Sequence, residues 1–426
     1  MRISYNIKRY LFNTNWLFTE HLFRALVTLL IGILLARYLG PTKFGTYSLI
    51  IALYSIIHAL SKLGLDAILV RDFVNNEESE KNILSTSFWL KVSFSIFLVT
   101  IISAVFVLNN KDSMNNFYIL IMSFVLIFQS FDVIQFYLEA KVRGKVIAIS
   151  RFIQVTISAG VKIFLIYIEA SLYFFFLVFI LDALLISIAY LIALKRNAFN
   201  LLPKYFRLDI AKKLISDSFP LIISSLAVIV YMRIDQIMLN YFFGSYEVGV
   251  YSIAVKLSEA IYFIPIILTT SIFPAIIAAK RRSIDSYMQS MQVLYTTLVW
   301  LSISLTALIF FSSEFLVNIL FGEDYAQSAK VLKIHALSMV FVFVGVAFEK
   351  YLINENLTVI SLKRTLVGAI SNIVLNIYLI PKMGINGAAI ATVISQFIAN
   401  FMYDLFDKRL HYQLKLKVRA FLFYVK

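Results

Sequence analysis

A chain of 426 residues that is 61% apolar and only 15% charged, with 39 Phe and 24 Tyr, carries more apolar surface than a water-soluble domain of that size can bury. Its net charge of +15 would point a soluble protein toward nucleic acid, but here the cations gather in loops between apolar runs, so topology explains them and nucleic-acid binding is excluded. The lack of cysteine excludes disulfides and thiolate metal sites.

About 20 helical residues cross a bilayer core. On that measure the sequence predicts twelve spans, at about 16–37, 44–63, 84–108, 117–139, 147–168, 171–194, 217–242, 247–278, 287–311, 327–350, 358–380 and 386–406. The expected fold is an all-α polytopic membrane protein. MRISYNIKRY at the start is basic, but no short apolar core with a small-residue cleavage site follows, so the first span is expected to stay uncleaved.

Orientation follows from the basic loops. Lys141, Arg143 and Lys145 lie on one side, with Lys195, Arg196, Lys204, Arg207, Lys212 and Lys213, then Lys280, Arg281 and Arg282. The tail adds Lys408, Arg409, Lys415, Lys417 and Arg419. The opposite loops hold little beyond Lys43, Lys111 and Lys382. Both termini are therefore expected in the cytoplasm. The basic segment Lys195–Lys213 divides the spans six and six, giving an N-terminal lobe over 1–205, a C-terminal lobe over 206–407 and a basic tail over 408–426. An even number per half relates the halves by a pseudo-axis along the membrane normal. The tail, with LKLKVRAFLFYVK, reads equally as a segment lying on an anionic leaflet or as a solvated one.

The first hairpin carries GPTKFGTYS at Gly40–Ser48 and the hairpin opening the second half carries GSYEVGVYS at Gly244–Ser252. The shared GxxxxGxYS, 204 positions apart, suggests a duplication.

Ionisable groups inside spans are expensive, about 2.5–3.5 kcal/mol each, and mark charge networks or polar paths. Glu20 and Arg24 lie one turn apart on the first span, either as an internal salt bridge or with Arg24 as a fork for phosphate. Arg233 and Asp235 project differently and need partners elsewhere, with Lys256 and Glu259 as candidates. Two readings stay open. One is an interhelical charge network. The other has Arg233 and Lys256 binding an anion while Asp235 or Glu259 titrates as a coupling carboxylate.

Lys162, Asp132 and Asp182 are further charges in the first half, Lys162 fitting a neutral pair with one of the acids. Lys91 is expected to snorkel. For Lys363 and Arg364, snorkelling and ligand contact weigh equally. His335 reads as a packed or interfacial residue, and Asn372 with Asn376 as hydrogen-bonding across helices. Pro265 and Pro274 break the backbone ladder of the long eighth span. No GxxxxGK[ST], hydrolytic triad, zinc cluster or redox centre occurs, so no cofactor is expected and any ATP would be hydrolysed elsewhere.

Several stretches resemble one family: ARYLGPTKFGTYSL (Ala36–Leu49), GLDAILVRD (Gly64–Asp72), FDVIQFYLEAKVRGKVIAISR (Phe131–Arg151), RIDQIML…VGVYSIAVKLSE (Arg233–Glu259) and MGINGAAIATVIS (Met383–Ser395). The chain is similar to the polysaccharide-export branch of the multidrug/oligosaccharidyl-lipid/polysaccharide exporter superfamily, the Wzx-type flippases. That resemblance implies a V-shaped pair of six-helix lobes around a cationic cavity. It implies a multi-pass protein of the bacterial inner membrane that moves undecaprenyl-diphosphate-linked oligosaccharide repeat units to the periplasmic leaflet, for O-antigen or capsule, by alternating access. Partners would be that lipid, membrane lipids, and a polysaccharide polymerase with chain-length proteins. Arg24, Arg233, Lys256 and Arg364 become candidates for the diphosphate, and Glu20, Asp235 and Glu259 for the coupling or charge network. Alternatives are a multidrug/cation antiporter or a lipid II flippase of the same superfamily. From another class, a membrane polymerase or ligase would need a large outer loop, and Ser312–Gln327 is short.

Overall fold

In the computed structural model, which describes residues 2–108, 114–195 and 201–422, helices follow one another with short connections. Lys111 and Arg196, two of the loop cations, lie outside the described residues. In order the helices are α1 (Arg2–Ser61), α2 (Asp66–Asn75), α3 (Glu80–Leu108), α4 (Met114–Gln129), α5 (Asp132–Ala140), α6 (Gly144–Tyr167) and α7 (Leu172–Lys195). Then come α8 (Leu208–Phe243), α9 (Ser245–Glu259), α10 (Phe263–Lys280), α11 (Ile284–Phe321), α12 (Ala326–Ala336), α13 (Ser338–Asn354), α14 (Thr358–Asn400) and α15 (His411–Phe421).

Nine continuous helical stretches among the described residues are long and apolar enough to cross a membrane, and the bent pair of α12 and α13 makes a tenth. Two of the nine are themselves broken. Gly40 in α1 and Gly384 in α14 have φ of 67° and 57°, so each stretch holds two spans. Counted that way, the described residues hold twelve apolar helical segments, at the places the hydropathy predicts. Large apolar side chains left exposed, such as Leu108, Phe311 and Phe315, are what lipid-facing helices require.

The chain forms two compact units, Met1–Leu39 with Ile50–Ile229, and Gly40–Leu49 with Val230–Lys426. In the first, the core lies where α2, α5 and α7 meet: Leu65, Leu69 and Phe73 pack with Val133, Ile134, Tyr137 and Tyr190. The Phe73 and Tyr137 rings meet edge to face at 5.5 Å. Gly64, at φ +58°, lets the turn before α2 approach the start of α8, where a Cβ would lie 3.0 Å from the Ser218 carbonyl. Arg71 then forks to Asp72 and Asp217, each at 2.9 Å.

In the second unit the two copies of the repeated motif touch. Both first glycines, Gly40 and Gly244, break their helices at positive φ. Both second glycines are contact points: a Cβ on Gly45 would strike the Ser245 carbonyl, and one on Gly249 would strike the Pro41 carbonyl. With the offset of 204, Pro41 corresponds to Ser245 and Gly45 to Gly249, so the crossing is reciprocal. The eighth predicted span is two helices, α9 and α10. Pro265 lacks the N–H that would bond Ile261, and Ile264 reaches that carbonyl instead at 3.0 Å. Pro274 sits inside α10 without ending it.

The described part of the tail is not a solvated segment, for it packs on the protein. Its helix α15 runs alongside α11: Tyr295 donates to Gln413 at 2.9 Å, Gln292 to the Leu416 carbonyl at 3.1 Å and Trp300 to the Ala420 carbonyl at 3.2 Å. Lys417 is turned inward at 0% exposure, bonded to the Asn400 carbonyl at 2.8 Å and to Asp404, also 0% exposed, at 2.6 Å. A buried cation needs such an acid, and the pair fixes which face of α15 points in. Burial pushes the Lys417 ammonium down to about 7, against the pull of Asp404.

Candidate functional site

In the first unit, Arg24 of α1 bonds Glu20 one turn earlier at 2.9 Å and donates to His21 at 2.5 Å. Glu20 is buried, whereas the Arg24 side chain is about a third exposed. The Phe23 and Phe152 rings, 5.0 Å apart, bring α6 against this part of α1. Beside it stands a residue that sequence reasoning passed over. Arg151 of α6 donates to the Gln135 amide oxygen at 2.7 Å and to the Tyr190 hydroxyl at 3.4 Å, both neutral. Among the described residues no carboxylate lies within ion-pair distance of it. Arg24 and Arg151 adjoin Phe23 and Phe152 in sequence, so that ring contact brings them to the same part of the α1–α6 seam, and two guanidinium forks near one buried acid leave a cationic excess suited to an anion with several oxygens.

Lys162 pairs with Asp182 at 3.6 Å, the lysine–carboxylate pair expected of it. Lys91 does not snorkel. It is 3% exposed, with its ammonium 5.9 Å from the Phe136 ring centre, because α3 packs that face against α4 and α5 instead of presenting it to lipid headgroups.

In the second unit, Arg233 and Asp235 do go separate ways. Arg233 meets Glu259 at 3.5 Å. Asp235, 4% exposed, has no cation within ion-pair distance among the described residues; it accepts from Tyr251 at 2.6 Å, Thr392 at 2.7 Å and Asn376 at 2.5 Å. Asn376 also donates to Asn372 at 3.0 Å, and Asn372 to Ser395 at 3.3 Å, the cross-helix bonding expected of this pair. A cavity of about 40 Å³, room for a water or two, opens beside Asp235 between Tyr231, Tyr251, Glu259, Tyr262, His335 and Thr392. His335 is buried and bonded to Ser258 at 2.8 Å.

Lys256 stands over the Phe44 ring at 5.6 Å. Arg364 is buried, not snorkelling: it donates to Glu349 at 2.7 Å and Asn400 at 2.8 Å, with its guanidinium 5.1 Å from the Phe348 ring centre. Arg24, Arg233 and Arg364 thus each carry a carboxylate partner. No cluster of three His, Asp or Glu able to hold a metal occurs among the described residues. The oxygens around Asp235, including a buried Asn376 carbonyl oxygen with no donor, are of the hard kind that suits a proton or an alkali cation.

Comparison with known proteins agrees with this architecture. The family described as "Polysaccharide biosynthesis protein" matches residues 11–280, and the MatE family matches residues 220–379. The capsular polysaccharide biosynthesis protein CapF of Staphylococcus aureus is 24% identical over 418 residues, covering 93% of this chain and 99% of that protein. Among solved structures, the lipid II flippase MurJ in an inward closed conformation aligns with a TM-score of 0.71 at 14% identity, over 95% of this chain and 90% of that one. An inward-facing multidrug resistance MATE family transporter of the MOP superfamily aligns at 0.67 and 15%, over 93% and 95%. With the first match spanning well over half the sequence, the chain belongs to the polysaccharide biosynthesis protein family.

Proposed function

We propose that this protein is a flippase for undecaprenyl-diphosphate-linked oligosaccharide repeat units, carrying them from the cytoplasmic to the periplasmic leaflet by alternating access for a surface polysaccharide. The observation that carries the reading is the pair Arg24 and Arg151, two guanidinium groups with Glu20 as the one carboxylate in ion-pair contact among the described residues. A diphosphate between a polyprenyl tail and a sugar cannot cross hydrocarbon unaided. Two planar forks satisfy its oxygens while the tail stays in lipid. Asp235, with no cation against it among the described residues, takes the coupling role as the group that exchanges a proton or alkali ion. Glu259 serves to neutralise Arg233.

A multidrug antiporter is disfavoured because cationic drugs call for acidic pockets, and the net charge of Arg24, Arg151 and Glu20 is positive. The test is reconstitution in vesicles with a fluorescent undecaprenyl-diphosphate-linked oligosaccharide. Transport by the wild type, lost at least tenfold in Arg24→Gln/Arg151→Gln with normal insertion, supports the reading. Equal transport by both would sink it.

A further inference from the structure

The α6 helix carries more than Arg151. At 100° per residue, Arg151, Gln154, Ser158 and Lys162 fall within about 80° of one another. They form a polar stripe on the face turned toward α7. Across the helix, Ile149, Ile153, Ile157 and Phe164 are exposed, as a lipid-facing side would be. Asp182 of α7 gathers the upper part of the stripe: it accepts from Gln154 at 2.7 Å and from Ser158 at 3.0 Å. Lys162 stands 3.6 Å from that acid, beyond a good hydrogen bond, so its donors are not spent there. The Phe179 ring, one turn before Asp182, lies 5.4 Å from the Lys162 ammonium. Neither charged side chain is sealed in; they are 15% and 19% exposed.

An amide, a hydroxyl, a carboxylate and an ammonium converging beside an aromatic face is the chemistry that recognises a sugar ring. The hydroxyls need paired donors and acceptors, and the C–H face needs an apolar plane. The rise of 1.5 Å per residue puts Gln154 about 4.5 Å and Ser158 about 10 Å from Arg151 along the axis. That is the distance at which a sugar bonded directly to a diphosphate would hang. We infer that Gln154, Ser158, Asp182 and Lys162 form a subsite for the first sugar of the lipid-linked glycan, above the anion seat at Arg24 and Arg151. This rests on the flippase reading. The residues bind the hydroxyls; no bond is made or broken.

The experiment is native mass spectrometry of the purified full chain with three probes: undecaprenyl diphosphate, and its N-acetylglucosamine and galactose derivatives. Wild type should bind at least one sugar-bearing probe about tenfold better than the bare diphosphate, the worth of two or so hydrogen bonds. In Gln154→Leu/Ser158→Ala, and separately in Lys162→Met/Asp182→Asn, that advantage should fall to about one while binding of the bare diphosphate is unchanged. Arg151→Gln should weaken all three probes together. A sugar advantage that survives both double variants, or no advantage in the wild type, overturns the subsite alone. If the wild type binds none of the three probes, the flippase reading fails and the subsite with it.

Discussion

Gly45 and Gly249, one in each copy of the repeated motif, face each other so closely that neither has room for a side chain. A Cβ on Gly45 would lie 2.8 Å from the Gly249 nitrogen, and one on Gly249 would lie 3.1 Å from the Gly45 nitrogen. Backbone carbonyls line the same space and cannot swing aside as a flexible side chain could. Gly45→Ala and Gly249→Ala should each lower stability by about 1–3 kcal/mol, the usual cost of overpacking. Gly160→Ala, inside α6 with ordinary helical φ and no neighbour within 4 Å, should leave stability unchanged or raise it by up to about 1 kcal/mol. Thermal unfolding of the purified variants would rank them; Gly160→Ala as damaging as the other two would refute the steric account.

The pair of Lys417 and Asp404 makes a second prediction. Removing one partner leaves a buried charge, so Lys417→Met or Asp404→Asn should each cost about 3–5 kcal/mol. Lys417→Met/Asp404→Leu should cost less than the sum, since neither charge then remains. The pH dependence has a definite sign. With the folded lysine near 7 and its ordinary value at 10.5, folding releases a proton between those values. The burial cost is therefore full below about pH 7 and fades as pH rises toward 10.5. Relative to Lys417→Met, the wild type should gain stability over that window; a flat difference in unfolding temperature would count against the buried cation.

Glu355, in the turn after α13, behaves oppositely. It accepts from Lys280 at 2.6 Å, Tyr287 at 3.0 Å and Asn354 at 3.1 Å. Desolvation would raise this carboxyl, but Lys280 and the hydrogen bonds outweigh it and hold the group below its usual 4.5. Its contribution is present above about pH 4.5 and lost as pH falls through the lower folded value. Unfolding temperatures measured from pH 6 down to 3 should converge for wild type and Glu355→Gln, and should stay parallel if the carboxyl does no such work.

Asp235→Asn keeps the shape of the site and its two hydroxyl partners while removing the charge. We expect a stably inserted protein in which vesicle transport falls about 10–100-fold, the range seen when a residue of an ion site is altered. Its response to an imposed proton or sodium gradient should disappear. Transport that still tracks the gradient would clear Asp235 of the coupling role.

The twelve spans were legible because hydropathy reports directly on the solvent a helix must meet. The meeting of Arg233 with Glu259, and of Lys162 with an acid, was legible because a buried charge demands its opposite. The surroundings of Asp235 were not: its partners Tyr251, Asn376 and Thr392 are neutral and lie 16, 141 and 157 positions away. Neutral donors at such separations leave no charge pattern to follow. Arg151 was overlooked because it ends a string of loop cations, where a basic residue reads as topology. Its signal was the helical spacing to Gln154, Ser158 and Lys162. The tail misled for a related reason. A lysine among apolar residues reads as a solvated or headgroup-facing charge, and only the fold reveals that Asp404 waits beneath Lys417.

The reciprocal glycine contact also bears on ancestry. Because position 41 meets 249 and position 45 meets 245, each repeat supplies the mate the other lacks. A half-length progenitor would have had to find that mate on an identical molecule. Joining two such genes end to end would then have turned a symmetric homodimer into one polypeptide, free to let its halves specialise.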